Sequence, residues 1–305
     1  MNRLGSTAGR AGQRAVLTLT CATALAACGG GGGDDNGDGV ATGAAQVSSA
    51  VASGMYGQPA LITVNGAALD QGITVSSPTC TGMTASSTAP YVSSPTTAYY
   101  RCATKALGAY DVTVARTSDG ATLASAPFTV PAPQVTLKVS NGSFLNGDVV
   151  LTLAPDKTPI TVDNFLAYVN AKFYDGTIFH RVVRDQLVQG GGFVPGVAGG
   201  APVQKTANAP IVLEVGKGLS NVQWSIAMAR ALAPDTATSQ FYVNVVDNSA
   251  QLDPLPLAGS AGYAVFGLVE SGRTLLAAIA ANSCPTNRDC QPTVNVIVTS
   301  ALQTR

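Results

Sequence analysis

The sequence predicts a mostly β protein: a closed or barrel-like β framework with two α-helices, preceded by a small β-sandwich. Residues 48–130 alternate apolar and polar side chains between turn residues, without helical periodicity. Beyond residues 131–134, two helical patterns appear among further β segments. Only 11% of the 305 residues are charged, with 17 basic and 17 acidic side chains. This balance argues against nucleic-acid binding, which needs dense Lys and Arg on one face.

Residues 1–28 are typical of an export signal. Three arginines are the only charges before residue 34, and residues 15–27 are small and apolar. This stretch is shorter than the ~20 residues of a membrane-spanning helix. Leu25–Cys28 resembles the lipobox of bacterial lipoproteins, which implies that Cys28 is acylated and becomes the mature N-terminus. The alternative is an ordinary signal cleaved nearby, with Cys28 incidental.

Residues 29–47 are rich in Gly and Asp and predict a flexible linker between lipid and body. A five-glycine run begins this segment, but no strand precedes it and no Lys-Ser/Thr follows, so it is not a phosphate loop. Gly29 follows the cysteine, which in Gram-negative lipoproteins implies sorting to the outer membrane. Without the signal, fourteen basic and seventeen acidic residues remain, a net charge of about −3.

Four further cysteines form two pairs that are each close in sequence: Cys80 with Cys102, and Cys284 with Cys290. In an exported protein this spacing favours two local disulfides. The alternative is a metal site, but neither pair has the short Cys-x-x-Cys spacing and no histidine is near.

Residues 48–130 predict a β-sandwich that is immunoglobulin-like only in architecture. The segment at 60–64 is followed by Asn65–Gly66, a strong turn signal. Further strands are predicted at 99–102, 110–114 and 127–130. No histidine and few carboxylates occur there, so we expect a spacer or docking module.

Pro131–Pro133 predicts a stiff joint, after which strand and helix signals mix. Thr158 and Pro159 predict the cap and first turn of a helix, whose apolar positions recur at helical spacing through Val169. A second helix is predicted from about Ser271 to Ala281. The remaining segments predict strands, at 149–153, 240–246, 264–269 and 294–299.

Six collinear blocks between residues 135 and 305 resemble the bacterial cyclophilins. They are Asn164–Tyr168, Phe173–Val183, Gln189–Phe193, Ile226–Arg230, Ala237–Asn244 and Gly262–Gly267. The resemblance implies an eight-stranded closed β-barrel with two helices, peptidyl-prolyl cis–trans isomerase activity and no cofactor. It also implies that Arg181 is the catalytic arginine and that Gln189 positions it. His180, the only histidine, is implied to be structural.

The resemblance also assigns a substrate-binding groove. Its implied members are Gln186, Leu187, Ala229, Arg230, Gln240, Tyr242, Leu252 and Tyr263. Two positions depart from the family pattern, because Gln186 replaces a pocket phenylalanine and Gln251 replaces a flanking aromatic residue. Losing an aromatic wall removes up to ~1.5–3 kcal/mol of apolar contact, which weakens an isomerase without abolishing it. Tyr242 replaces a phenylalanine, and its hydroxyl needs a partner.

The leading hypothesis is therefore an outer-membrane lipoprotein that isomerises X–Pro bonds in envelope proteins. A catalytically weak module that binds or chaperones proline-containing segments is the alternative, motivated by Gln186 and Gln251. A third class is a structural lipoprotein led by the β-sandwich. We expect a monomer whose partners are proline-containing polypeptides and, through Cys28, a membrane.

Overall fold

The computed structural model describes residues 43–255, 257, 259–282 and 289–305, and these residues form one compact unit. The strands of the first part are β1 (Gln46–Ser53), β2 (Pro59–Ala67), β3 (Ile73–Ser76), β4 (Cys80–Ala85), β5 (Ser87–Thr88), β6 (Tyr91–Val92), β7 (Thr97–Thr104), β8 (Gly108–Arg116) and β9 (Thr122–Val130). The later strands are β10 (Gln134–Ser140), β11 (Asn146–Leu153), β12 (Thr177–Ile178), β13 (Arg181–Val183), β14 (Leu187–Gly190), β15 (Phe193–Val194), β16 (Val203–Gln204), β17 (Ser225–Met228), β18 (Phe241–Asn244), β19 (Val265–Ser271), β20 (Asp289–Cys290) and β21 (Ile297–Gln303). The helices are α1 (Pro159–Asn170), α2 (Ser249–Leu252) and α3 (Arg273–Asn282).

The first part contains two antiparallel sheets, ordered β1-β2-β7-β4 and β3-β8-β9, with β5 and β6 forming a separate hairpin. Alternate side chains along the strands are buried, such as Ile62 and Val64 in β2 and Phe128 in β9. The predicted disulfide between Cys80 and Cys102 is confirmed, and it joins the neighbouring strands β4 and β7. The likeness to immunoglobulin domains, and the domain limits at 48 and 130, stay predictions.

The predicted turn at Asn65–Gly66 is wrong, because both residues lie inside β2. Gly66 pairs with Val47 beside a bulge in β1. A Cβ atom on Gly66 would lie 1.9 Å from the carbonyl oxygen of Gln46, so the glycine serves a close backbone approach and not a turn.

The second part is built on one ten-stranded sheet, ordered β12-β21-β10-β11-β19-β17-β18-β14-β13-β20. This sheet is a half-barrel, so the prediction of a closed eight-stranded barrel is corrected. Its two end strands, β12 and β20, have two residues each and pair on one side only within the described residues, which leaves the sheet open. Helix α1 packs against β21, and α3 packs against β11 and β14.

Among the residues that the structure describes, three helices replace the two that the sequence predicts. The predicted helix at 271–281 begins instead at Arg273, and the one-turn helix α2 was missed because four residues carry no periodicity. Thr158 does occupy the N-cap of α1, but its hydroxyl caps no backbone group. The carboxylate of Glu214 accepts hydrogen bonds from the backbone nitrogens of Ile160 and Thr161 instead.

The two parts contact each other directly across α1 and β21. Lys105, at the end of β7, forms an ion pair of 2.5 Å with Asp163 in α1. The side-chain amide of Gln303 donates to the carbonyl oxygen of Tyr56 over 2.9 Å. Burial and the Asp163 carboxylate raise the pKa of Tyr56 above its ordinary value. The prolines at 131–133 therefore lie between parts that share an interface.

Candidate active site

A cavity of ≈ 420 Å³ lies at the end of the ten-stranded sheet where β13, β14 and β20 meet. It brings together nine of the ten residues to which the sequence assigns catalytic or substrate-binding roles. Its lining consists of Arg181, Val183, Gln186, Leu187, Gln189, Ala229, Arg230, Tyr242, Leu252, Tyr263 and Asp289. The structure thus assembles the site from segments more than 100 residues apart in sequence.

Two side chains hold the guanidinium group of Arg181. Arg181 lies directly opposite Gln189 in the β13–β14 pairing, and its Nη1 donates to Gln189 Oε1 over 3.2 Å. Its Nε and Nη2 donate to the two carboxylate oxygens of Asp289 over 2.9 and 2.6 Å. The side chain remains 46% exposed. Hydrogen bonds along two edges of the planar guanidinium fix its orientation and leave its face open to the cavity.

Asp289 was not predicted from the sequence. The hydrogen bonds from Arg181 lower the pKa of this carboxyl, and the Asp289 hydrogen bonds raise the pKa of Arg181. Asp289 is placed by β20, whose backbone pairs with β13. Its neighbour Cys290 is disulfide-bonded, and Cys284, the predicted partner of Cys290, lies outside the described residues. The sequence feature that could have pointed to Asp289 is its position directly before Cys290, a cysteine of a predicted disulfide.

Gln240 is the one predicted groove residue that does not line this cavity. Its Oε1 accepts a hydrogen bond of 3.0 Å from Gln189 Nε2, which fixes the side-chain amide that holds Arg181. Gln240 lines an adjoining hollow of ≈ 310 Å³. The ring of His180 lies 4.6 Å from that of Phe193, centroid to centroid. Burial lowers the pKa of His180 below the ordinary value of 6.5.

The floor of the cavity is apolar and forms its own small cluster, distinct from the main core. Leu187 and Tyr242 are its buried members in the cavity, with Ala229, Leu252 and Tyr263 packed beside them. The rings of Tyr242 and Tyr263 meet edge to face, with centroids 5.7 Å apart. A floor of this size and polarity suits a small apolar ring such as that of proline.

The hydroxyl of Tyr242 has the partner it requires. It donates to Oδ1 of the fully buried Asn221 over 2.7 Å, and burial raises the pKa of Tyr242 well above its ordinary value. Asn221 in turn donates from Nδ2 to the carbonyl oxygen of Leu252 and to Asp253. Asn221 therefore connects the cavity floor to α2, which carries Leu252, and no sequence pattern pointed to this residue.

The two departures from the family pattern lie on the rim. Gln186 lines the cavity with an exposed side chain, while its carbonyl oxygen accepts from the side-chain amide of Asn248 over 3.0 Å. Gln251 lines a neighbouring cavity of ≈ 590 Å³ instead. Gln186 presents an amide to the cavity, so the rim is more polar there than the floor.

Cys28 lies outside the described residues, as does the whole predicted signal. Within the described part of the chain, no helix combines the length and the apolarity needed to cross a bilayer.

Sequence comparison relates this chain to proteins of known activity. Residues 135–303 match the family described as cyclophilin type peptidyl-prolyl cis-trans isomerase/CLD. A peptidyl-prolyl cis-trans isomerase of Streptomyces antibioticus is 43% identical over 157 residues, which cover 51% of this chain and 92% of the relative. Peptidyl-prolyl cis-trans isomerase B of Escherichia coli is 45% identical over 131 residues, covering 42% and 74%. A crystal structure of a Cryptosporidium parvum cyclophilin aligns with a TM-score of 0.45 and 23% identity over 57% of this chain and 98% of its own.

Proposed function

This chain belongs to the family of cyclophilin-type peptidyl-prolyl cis–trans isomerases, and from that premise we propose that Arg181 catalyses rotation about X–Pro bonds of cell-envelope proteins. The observation that carries the proposal is the doubly held Arg181 guanidinium beside a cavity with an apolar floor. The reaction breaks no bond and transfers no proton, so a binding surface and a fixed donor are sufficient.

The barrier to rotation is ~18–20 kcal/mol, because the imide nitrogen shares its lone pair with the carbonyl group. In the twisted state this conjugation is lost and the lone pair returns to the nitrogen. A hydrogen-bond donor aimed at that nitrogen is therefore worth more in the transition state than in the ground state. Arg181 supplies such a donor, permanently charged and already oriented. The floor formed by Leu187, Tyr242 and Leu252 holds the proline ring while the preceding residue turns.

The test is a protease-coupled or NMR exchange assay of the mature full chain with a proline-containing peptide. Wild type should accelerate isomerisation, and Arg181→Ala should lose ~100-fold or more, in the range of a removed electrostatic donor. Arg116→Ala, an ion-paired arginine of the first part, is the matched control and should retain full activity. Equal rates for wild type, Arg181→Ala and buffer would refute catalysis.

A second candidate is a cyclophilin-shaped module that binds proline segments with little turnover. Gln186 on the cavity rim favours it, because an amide replaces apolar contact there. NMR titration separates the two functions: peptide resonances shift in both cases, but only an isomerase enhances exchange between cis and trans peaks.

The location in the envelope is part of the proposal. The basic start, the short apolar stretch and the lipobox-like Leu25–Cys28 support export and acylation at Cys28. Intact mass spectrometry of protein extracted from membranes should show a chain that begins at Cys28 and carries acyl groups. An unmodified chain that begins elsewhere would remove the anchor and leave the isomerase proposal standing.

A further inference from the structure

Arg230 is a fixed cation at the centre of the groove. Its Nε donates to the carbonyl oxygen of Gly262 over 2.9 Å, and its Nη1 donates to those of Ala231 and Leu232 over 2.9 and 3.0 Å. The guanidinium carbon also lies 4.6 Å above the ring of Tyr263. In the described residues, these hydrogen bonds use only Nε and Nη1, so the Nη2 donors remain available.

In the part of the chain that the structure describes, Arg230 forms no ion pair with a carboxylate. Among the described side chains, Arg181 is paired with Asp289, whereas Arg230 takes part in none of the ion pairs. Asp253 is a nearby carboxylate, but it accepts hydrogen bonds from Asn221 and Ser220 in the loop behind the floor. Among the charged residues that line the cavity at Arg181, Arg230 is therefore the one without an ion-pair partner, and it is half-buried, where solvent screens its charge less than at the surface.

Arg230 also lines three adjoining cavities. They are the cavity of ≈ 420 Å³ at Arg181, here called the proline cavity, the hollow beside Gln240 and the cavity of ≈ 590 Å³. The last of these shares Leu252 and Tyr263 with the proline cavity and is otherwise lined by residues that include Leu232, Pro234 and Gln251. An extended chain advances ~3.3–3.6 Å per residue. A peptide whose proline occupies the first cavity thus brings a flanking side chain to Arg230.

We propose that Arg230 forms a subsite for an acidic side chain, so that this enzyme prefers X–Pro segments with Asp or Glu close to the proline. The inference rests on the proposed function and adds a substrate class to it. Guanidinium donors match carboxylate oxygens in geometry and charge. The carbonyl contacts and the Tyr263 ring hold the group in place before the substrate arrives, which lowers the entropic cost of recognition.

The experiment uses acetylated, amidated peptides with one proline, so that a side chain supplies the only carboxylate. Glu is placed in turn at each of the two positions on either side of the X–Pro bond, with a matched Gln peptide for each. Exchange NMR with the mature full chain measures kcat/KM. At one or more positions, wild type should turn over the Glu peptide about 3–10-fold faster than the Gln peptide, and added salt should reduce this ratio.

Two variants decide the assignment. Arg230→Gln should abolish the Glu/Gln ratio, and Arg230→Lys should retain part of it because the charge remains. The subsite is refuted if wild type turns over the Glu and Gln peptides equally fast at every position. It is also refuted if Arg230→Gln slows both kinds of peptide by the same factor, because that result indicates a structural role for Arg230. Turnover of the Gln peptides tests the proposed function separately. If no peptide is turned over, tighter binding of Glu peptides in an NMR titration still supports the subsite, and equal binding refutes it.

Discussion

The carboxylate of Asp289 is the least expected contact of Arg181, and its removal gives the first prediction. Asp289→Ala frees the Nε and Nη2 edge of the guanidinium and leaves only Gln189 to orient it. We expect kcat/KM to fall about threefold to tenfold, because a donor that must first be ordered stabilises the transition state less. Asp289→Asn, which keeps an acceptor, should fall in between. Rates are measured by the same exchange assay.

Asp119→Ala is the matched control, since Asp119 pairs with Arg116 over 2.7 Å in the first part of the chain. It should leave kcat/KM unchanged. If Asp289→Ala is as active as wild type or more active, Asp289 does not position Arg181.

His180 gives a prediction on pH, because it is the only histidine in the chain. Burial lowers its pKa below 6.5 in the folded state, so the unfolded chain takes up the proton first as pH falls. The free energy of unfolding should therefore decrease as pH falls through the region below 6.5 and level off once the folded state is also protonated. The pKa of Asp289 is lowered from 3.8, so the stability that this carboxylate contributes is lost as pH falls below 3.8, outside this window.

Urea unfolding at a series of pH values from 7.5 to 4.5 measures the effect. His180→Gln should be less sensitive to pH than wild type in the window below 6.5. An unchanged slope in that variant would show that the buried imidazole is not the group responsible.

At the scale of single residues, what the sequence could reveal depended on distance along the chain. Arg181 and Gln189 are eight residues apart on one hairpin, and two neighbouring sequence blocks identified them. Asp289 and Asn221 reach the site through β20 and through a buried hydrogen-bond network. No local pattern encodes contacts at separations of 108 and 21 residues, and their residue types are common in loops.

The start of α1 supplies the prediction at the scale of elements. Glu214 is almost fully buried and accepts from the backbone nitrogen and the hydroxyl of Thr161, each over 2.7 Å. Glu214→Ala leaves helix donors without a partner and removes a negative charge from the positive end of the helix dipole. We expect a loss of ~2–3 kcal/mol in the free energy of unfolding, measured by urea denaturation.

Glu270→Ala is the control, because this exposed carboxylate accepts a hydrogen bond of 3.2 Å from the hydroxyl of Thr152 and caps none of the described helices. A change within about 0.5 kcal/mol is expected there. A similarly small change for Glu214→Ala would mean that water replaces the carboxylate at the helix start.

Elements with strong periodicity were predicted well, and those defined by tertiary contact were not. The apolar spacing of Val162, Phe165 and Val169 marked α1 correctly. Thr158 matched a capping pattern, yet the distant Glu214 performs that role. Asn65–Gly66 matched a hairpin turn, yet the neighbouring strand β1 needed a glycine for close approach. A local sequence pattern indicates which structures a segment can adopt. Tertiary packing determines which of these structures forms.

At the scale of the whole molecule, composition predicts two bodies joined by prolines, and the described residues of both parts cluster into one compact unit. The contacts responsible lie far apart in sequence: Lys105 with Asp163, and Tyr56 with Gln303. Tyr56 is 2% exposed and belongs to the same buried cluster as the core of the isomerase part. Such a shared core implies that the two parts support each other's stability.

The last prediction tests this coupling with the Cys80–Cys102 disulfide, which lies in the first part, and Trp224, the only tryptophan, which packs in the second. Cys80→Ala/Cys102→Ala opens a crosslink across 22 residues, worth ~3 kcal/mol by loop entropy. Because the parts share a core, we expect the midpoint of thermal unfolding seen by Trp224 fluorescence to fall together with the midpoint seen by circular dichroism. Lys138→Ala, which removes an exposed ion pair with Asp148, should shift neither midpoint measurably. A tryptophan transition that stays at the wild-type temperature in the cysteine variant would show that the isomerase part unfolds independently.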